Sequence, residues 1–376
     1  MFKVGLISTY PPERCGIATY AMDIISAVNN IAPEWNFIPI ELTHHPVEVN
    51  SSLLIQNNNV EHYLRIIQYI NENIDLVHIQ HEFKIFGKPD GANISVLLQN
   101  IKKPIISTLH TISPNLNERR EKVFMETIYR SNLVCVFSKE AKSYLIDKYE
   151  LPRSKILVIP HGVPQVSFIM PEQMKERVEL SVPIIFVSAG HLREAKGYEI
   201  AISALSLLQN EIPDFRYLIL GADHPQNETA QLYRKSLLQL VNDLNLSKNV
   251  ILINDYLNDN DLIKYLQLAD IGLLPYTRLE QSSSGIMALM LACGRPVVST
   301  PFQFAKSQLN EQSGVLSDSI TVSDLASAIK SIVNKRLLWT EMSLHNYHFT
   351  RAWTWDKVGS QYLQAYNKLI MQKQIA

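Results

Sequence analysis

Short runs rich in Val, Ile and Leu recur along the 376-residue chain, each followed by a longer segment in which apolar residues return about every three or four positions. No other feature narrows the fold as far. Parallel strands need long crossovers and are covered on both faces, so they read as continuous apolar runs rather than alternating ones. The first run, 2–8, leads through the loop 9–16 into 17–28, where Ile17, Tyr20, Ala21, Ile24, Ile25 and Val28 share one helical face. Further strands are predicted at 37–40, 76–79, 104–109, 133–137 and 155–159. The stretch 162–179, with Pro164 and a charged run at 172–179, reads as a connection. The alternation then restarts, with strands at 184–188, 217–220, 250–253, 271–274 and 296–299 and helices such as 198–208 and 229–243. A last segment, 355–372, places Val358, Tyr362, Ala365, Tyr366 and Leu369 on one face of an amphipathic helix. The expected fold is α/β, with two Rossmann-like, doubly wound domains, 1–165 and 166–350. Such sheets bind ligands at the carboxyl ends of their strands, so two of them facing each other define a cleft.

Composition removes several functional classes. With 46% hydrophobic and 19% charged residues the chain folds rather than staying disordered. Lys and Arg total 35 against 36 Asp and Glu, so no global field gathers nucleic acid, and any anion is caught locally. Cys15, Cys135 and Cys293 are too few and too far apart for a disulfide framework or a metal cluster, which fits a reducing compartment. The N-terminus is a poor signal peptide and no segment reaches the roughly 20 apolar residues of a membrane span. A cytoplasmic protein is expected, with at most peripheral contact at the inner face of the membrane. Arg119, Arg120 and Lys122 form a basic cluster, but Glu118 and Glu121 interrupt it, which favours a solvated helix face.

The candidate chemistry lies just beyond the predicted strands. Residues 190–197, GHLREAKG, follow the first strand of the second domain and precede a helix. Arg193 and Lys196 thus lie near a helix N-terminus, where amides and the dipole favour an anion; together they could clamp a phosphate, or merely pair with Glu194, Glu199 or solvent. After the strand 271–274 come Glu280, Gln281, Ser282, Ser283, Ser284 and Gly285, leading into an apolar helix. Amides there could hold a diphosphate, and the bland alternative is a serine N-cap on a buried helix. Two anion-seeking features after strands of one domain favour the functional reading. In the first domain His110 ends the strand 104–109, where an imidazole could bond a substrate hydroxyl or steady developing charge. His78, Gln80, His81 and Glu82 end another strand. His78 reads as a core histidine, whereas His81 and Glu82 could be acceptor contacts or loop scaffolding. The spacing of His81, Glu82 and His110 matches no standard zinc pattern, so no metal is expected. Gly16 either lets backbone approach a ligand or makes a tight turn. There is no Gly-x-Gly-x-x-Gly, Walker loop or Gly-x-Ser-x-Gly, which lowers dehydrogenase, ATPase and α/β-hydrolase readings.

Ser8-Thr9-Tyr10-Pro11-Pro12, Cys15-Gly16-Ile17-Ala18-Thr19, His78-Ile79-Gln80-His81-Glu82-Phe83 with Ile85-Phe86-Gly87, and Thr108-Leu109-His110-Thr111 resemble the N-terminal domain of family 4 retaining glycosyltransferases of the GT-B fold. Gln281-Ser282-Ser283-Ser284-Gly285 and Gly294-Arg295-Pro296-Val297-Val298-Ser299-Thr300-Pro301 are similar to the C-terminal domain of their mannosyltransferase-like branch. Trp353-Thr354-Trp355 and the helix after it, within 351–376, resemble the family's last helix, which crosses back onto the first domain. The resemblance implies a nucleotide-sugar donor held by the C-terminal domain and a carbohydrate or lipid-linked acceptor held by the N-terminal one. It also implies retention at the anomeric carbon and no essential metal. It assigns Arg193, Lys196, Ser283, Ser284, Gly285 and Gly16 to the donor diphosphate and His110 to the transferred sugar. GDP-mannose is the donor the branch suggests, with UDP-sugars open.

The sequence departs from the family where two glutamates usually contact the transferred sugar and the ribose: Gln281 and Leu289 stand there, with Glu280 adjacent. His191 stands where an arginine is usual, and Arg193 is the expected substitute. Two rivals follow. A phosphorolytic enzyme of the same fold would bind free phosphate in the clamp. A non-catalytic glycan- or nucleotide-binding module is motivated by the missing glutamates and opposed by the joint presence of Arg193, Lys196 and His110.

Overall fold

The structure, a computed structural model, describes residues 2–13, 15–46, 53–212, 214–223 and 229–375. The chain forms two compact units, Met1–Gly162 with Trp353–Ala376, and Val163–Ala352. The apolar runs of the first become β1 (Phe2–Ser8), β2 (Trp35–Thr43), β3 (Leu54–Gln56), β4 (Leu76–His81), β5 (Ile105–Leu109), β6 (Leu133–Val136) and β7 (Ile156–Val158). They pair in parallel as a seven-stranded sheet in the order β3-β2-β1-β4-β5-β6-β7. Every residue of β4, β5 and β6 is buried, which is why these strands read as unbroken apolar runs.

The second unit repeats the plan with β8 (Ile184–Ala189), β9 (Phe215–Leu220), β10 (Val250–Ile253), β11 (Ile271–Leu274), β12 (Val297–Ser299) and β13 (Gly314–Leu316). These form a parallel six-stranded sheet in the order β10-β9-β8-β11-β12-β13. Strand order reverses direction between β1 and β4 in one sheet and between β8 and β11 in the other. At such a switch point the loops beyond the two strands diverge to opposite faces and leave a crevice.

Each unit has its own core, with Ile7, Val77, Ile79, Ile105 and Phe124 in the first and Phe186, Ile202, Phe215, Ile271 and Ile329 in the second. The last helix, Trp355–Ile375, belongs to the first unit and packs on the helix Gly16–Ile31. Its buried face is Val358, Tyr362, Ala365, Tyr366 and Leu369, the apolar stripe of the sequence. Gly359 permits the approach, because a Cβ there would stand 2.9 Å from the Ala27 Cβ.

Part of the stretch 172–179, expected to be a connection, is instead helical. Residues Pro171–Arg177 form a short helix, and its Lys175 pairs with buried Asp270 at 2.6 Å while the same carboxylate accepts the Ile185 amide at 2.6 Å. The charged run therefore ties helix to sheet. Arg295, fully buried, donates to the carbonyls of Cys293, Gln267, Ala269 and Ile169 at 2.8–3.3 Å, a structural tie within the second unit. Among the described residues no helix is long and apolar enough to cross a membrane.

Candidate functional site

The loops after β8 and β11 meet at the switch point of the second sheet. After β8 the chain turns at Gly190, where φ is +128°, passes Arg193, forms a 3-10 turn at Glu194–Lys196 and enters the helix Tyr198–Leu207 through Gly197 at φ +64°. Gly197 is forced by packing as well as by φ, since a Cβ there would lie 2.0 Å from the Pro275 carbonyl oxygen. The Thr277 amide donates to the Ala195 carbonyl at 3.2 Å, joining the two loops directly.

This junction buries Lys196, which is 8% exposed, with its Nζ 3.8 Å from the centroid of the Tyr276 ring. Tyr276 is fixed by stacking on Phe302 at 4.9 Å and by the Thr300 hydroxyl, which donates to its carbonyl at 2.6 Å. A ring face in place of a carboxylate stabilises the ammonium by about 0.5–2 kcal/mol, against several kcal/mol lost on leaving water. Burial pulls the Lys196 pKa below its ordinary value. Arg193 is exposed. Among the described residues neither cation forms an ion pair with Glu194 or Glu199, and the Glu199 carboxylate instead accepts the Tyr233 hydroxyl. Of the bland readings of this pair, pairing with Glu194 or Glu199 is not seen among the described residues, while Arg193 does face solvent.

The serine loop lies on the same side. Gln281 is pinned by its amide on the Arg278 carbonyl at 3.2 Å, by the Phe304 amide on its own carbonyl at 3.0 Å, and by its side chain on the Ser283 carbonyl at 2.8 Å. Ser284 is the N-cap of the helix Gly285–Ala292, its Oγ accepting the Met287 amide at 3.2 Å. The structural role foreseen for a serine here is thus real, and it commits the Ser284 hydroxyl. The helix dipole of Gly285–Ala292 points its positive end at this loop. Ser282 is buried, while Glu280 and Ser283 are half-buried. Leu289 is 9% exposed on the same helix.

In the first unit His78 and Gln80, two apart in β4, share one face of the strand and His81 takes the other. His110, just beyond β5, hydrogen-bonds through Nε2 to Gln80 Oε1 at 2.8 Å; Gln80 Nε2 reaches His78 Nε2 at 3.0 Å. Burial pushes the His110 and His78 imidazoles down to about 3, His110 also through neighbouring imidazoles, so both are neutral. Of the two readings of His81, acceptor contact or loop scaffolding, its burial fits the second. It is fully buried, its ring lies against Phe83, Phe86 and Phe124, and neither ring nitrogen has a hydrogen-bond partner among the described residues. A ring with no exposed surface presents nothing to a substrate; only its backbone serves the site, accepting the His110 amide at 3.0 Å. Glu82 is half-buried and accepts the Thr111 hydroxyl.

Gly16 begins the helix Gly16–Ile31, whose N-cap Cys15 accepts the Ala18 amide at 3.4 Å. Gly16 is exposed, and a Cβ added there would meet nothing within 4 Å. Packing and backbone do not require this glycine. Among the described residues no cluster of His, Cys, Asp and Glu is placed to hold a metal ion. Tyr276 is the residue that reading the sequence missed; its one signal was an aromatic directly after the strand run 271–274 and Pro275.

Comparison with known proteins adds a second line of observation. Residues 28–165 match the family model described as Glycosyltransferase Family 4, and residues 170–347 match that described as Glycosyl transferases group 1. A phosphatidyl-myo-inositol mannosyltransferase of Propionibacterium freudenreichii is 23% identical over 350 residues, 90% of this chain and 84% of that protein. Among solved structures, sucrose-phosphate synthase from Thermosynechococcus elongatus superposes with a TM-score of 0.77 at 18% identity, covering 99% of this chain and 100% of that one. The Anabaena protein HepE, solved in complex with UDP-glucose, gives 0.76 at 16% identity over 98% of this chain and 100% of its own. Two parallel sheets with flanking helices are the GT-B fold that these neighbours share.

Proposed function

The chain belongs to glycosyltransferase family 4, as a hexosyltransferase of the mannosyltransferase-like branch, and from that premise we propose that it moves a hexose from a nucleotide-diphosphate sugar to a hydroxyl of a glycan, lipid-linked or small-molecule acceptor, with retention. The observation that carries the donor assignment is Lys196, buried against the Tyr276 ring at the junction of two strand-end loops, with no carboxylate paired to it among the described residues. Such a group is completed by an anion.

Breaking the sugar–phosphate bond develops positive charge at the anomeric carbon and negative charge on the departing diphosphate. Arg193, Lys196 and the amides of Ser283, Ser284 and Gly285 stabilise the leaving group, as fixed donors aimed at developing charge do. The family resemblance gives His110, neutral here, the role at the transferred sugar, and it assigns Gly16 to the diphosphate. The acceptor hydroxyl attacks from the leaving-group side, and the departing phosphate oxygen takes its proton. The apolar side chain of Leu289 accepts no hydrogen bond from a ribose hydroxyl, so ribose contacts fall to other groups, Glu280 and Gln281 among them. A mannosyl donor, for which GDP-mannose is our choice, is favoured by the mannosyltransferase relative, and a UDP-sugar by the HepE complex.

A nucleotide-sugar panel read by thermal shift tests this, because a ligand that binds only the folded state raises its melting temperature. The donor that shifts the transition should be hydrolysed slowly by the purified protein, and Arg193→Ala or Lys196→Ala should cut hydrolysis by about 10²- to 10³-fold with folding intact. Unchanged hydrolysis in both variants would remove the phosphate clamp. Turnover dependent on inorganic phosphate would select the phosphorolytic reading.

A further inference from the structure

Behind His110 lies a run of buried polar contacts that the donor reading does not use. Gln80 bridges His110 and His78, the latter's Nδ1 stands 2.8 Å from the Tyr366 hydroxyl, and its Nε2 is also 2.9 Å from Thr108 Oγ1. Thr108 continues to the Tyr362 hydroxyl at 2.9 Å, and Tyr362 to the Tyr20 hydroxyl at 2.9 Å. Tyr362 and Tyr366 both come from the last helix. All of these side chains are buried.

The hydrogen-bond inventory orders the protons. With the Gln80 amide oriented so that Oε1 faces His110, the oxygen only accepts, so His110 Nε2 carries the proton and Nδ1 the lone pair. An amide nitrogen only donates, so His78 Nε2 accepts, its proton sits on Nδ1, and the Tyr366 hydroxyl receives it. We propose that Gln80, backed by His78 and Tyr366, is a positioning residue that fixes His110 as the neutral Nε2–H tautomer, so that the imidazole serves the transferred sugar as an uncharged group whose Nδ1 is an acceptor, and never as an acid. This rests on the reading of His110 as the residue that serves the transferred sugar.

The groups packed around the ring favour the neutral form. Tyr20 meets the His110 ring edge-on at 5.2 Å and Phe137 lies at 5.4 Å. His161 packs on both Tyr20 and Phe137 at 5.0 and 5.5 Å. From the sheet His78 and His81 act on the His110 ring, and beyond His78 and Thr108 stand Tyr366 and Tyr362 of the last helix. Every one of these is neutral. Of the carboxylates nearby, Glu82 accepts from Thr111, and Asp23 acts on Tyr20.

The test is nitrogen NMR of the full chain labelled with 15N-histidine, with the His110 signals assigned by their loss in His110→Gln. The wild type should show a single neutral Nε2–H tautomer near neutral pH. Gln80→Leu should shift those signals toward a mixture of tautomers and lower kcat on the order of 10-fold or more, with donor KM changing less than about threefold. Tyr366→Phe should move both in the same direction and less. Gln80→Glu keeps an acceptor but adds a carboxylate, and should bring an imidazolium at His110 within the measurable pH range. A wild-type Nδ1–H or charged ring, or a His110 spectrum unmoved in Gln80→Leu, would overturn the proposal. Should Gln80→Leu fail to fold, the wild-type and Gln80→Glu spectra still decide it. The spectra need no donor, so absence of any transfer activity would count against the function and leave the tautomer assignment standing.

Discussion

Where β4 and β5 end, the first unit gathers His78, Gln80 and His110 with tyrosine hydroxyls, all neutral and joined by hydrogen bonds. Where β8 and β11 end, the second gathers Arg193, buried Lys196 and the amides of a serine loop, with no carboxylate paired to either cation among the described residues. The sheets share a plan, yet burial has opposite consequences in them. In the first it drives protons off imidazoles whose neutral forms satisfy one another. In the second it holds a cation against an aromatic ring with no paired carboxylate among the described residues. The first suits hydroxyl recognition, the second an anionic leaving group.

The largest expected effect that could break this contrast is acid lability. Burial holds His78 and His110 down to about 3 and His81 and His161 to about 4, with His161 partly offset by its bond to the Gly162 carbonyl. The unfolded chain, titrating near the ordinary value of about 6.5, therefore takes up these protons first. Stability is complete above that value and falls as pH drops below it, by up to about 1.4 kcal/mol per pH unit for each imidazole. Hydrogen exchange across this range should show protection lost in the first unit before the second. Simultaneous loss in both would deny the difference.

Next in size, Lys196→Ala should cost about 10²- to 10³-fold in turnover while leaving the melting temperature equal or higher, since it removes a preorganised donor and a buried charge together. Steady-state kinetics beside calorimetry checks both halves. Ser284→Ala should act mainly on stability, by about 1 kcal/mol, because its hydroxyl caps the helix Gly285–Ala292. Denaturant unfolding measures it. Gly16→Ala is the smallest: stability should hold or rise by about 0.5–1 kcal/mol, the helix gaining a better former in open space, while donor KM rises. An unchanged KM would assign Gly16 no part in the site.

The parallel sheets were legible because strands buried on both faces leave unbroken apolar runs. β3 and β13 were not: each is a three-residue strand at a sheet edge, too short to carry a pattern. The anion-seeking loops could be named from the sequence, since strand, glycine and helix follow one another locally. Their meeting through Thr277 and Ala195, and the ring of Tyr276 over Lys196, depend on β8 and β11 being neighbours, which is long-range information. Strand parity alone separates His81 from His78 and Gln80, and so favours the scaffolding reading of its ring over the acceptor one. The link from Gln80 to Tyr366 joins residues far apart in the chain, and no local pattern announces it.

Isothermal titration of nucleoside mono- and diphosphates into the wild type and Lys196→Ala tests the central claim most directly. The expected result is that the diphosphate binds the wild type more tightly than the monophosphate and that Lys196→Ala removes this preference while the monophosphate still binds. Equal preference in both proteins would contradict it, and would place the diphosphate away from the junction of the two loops.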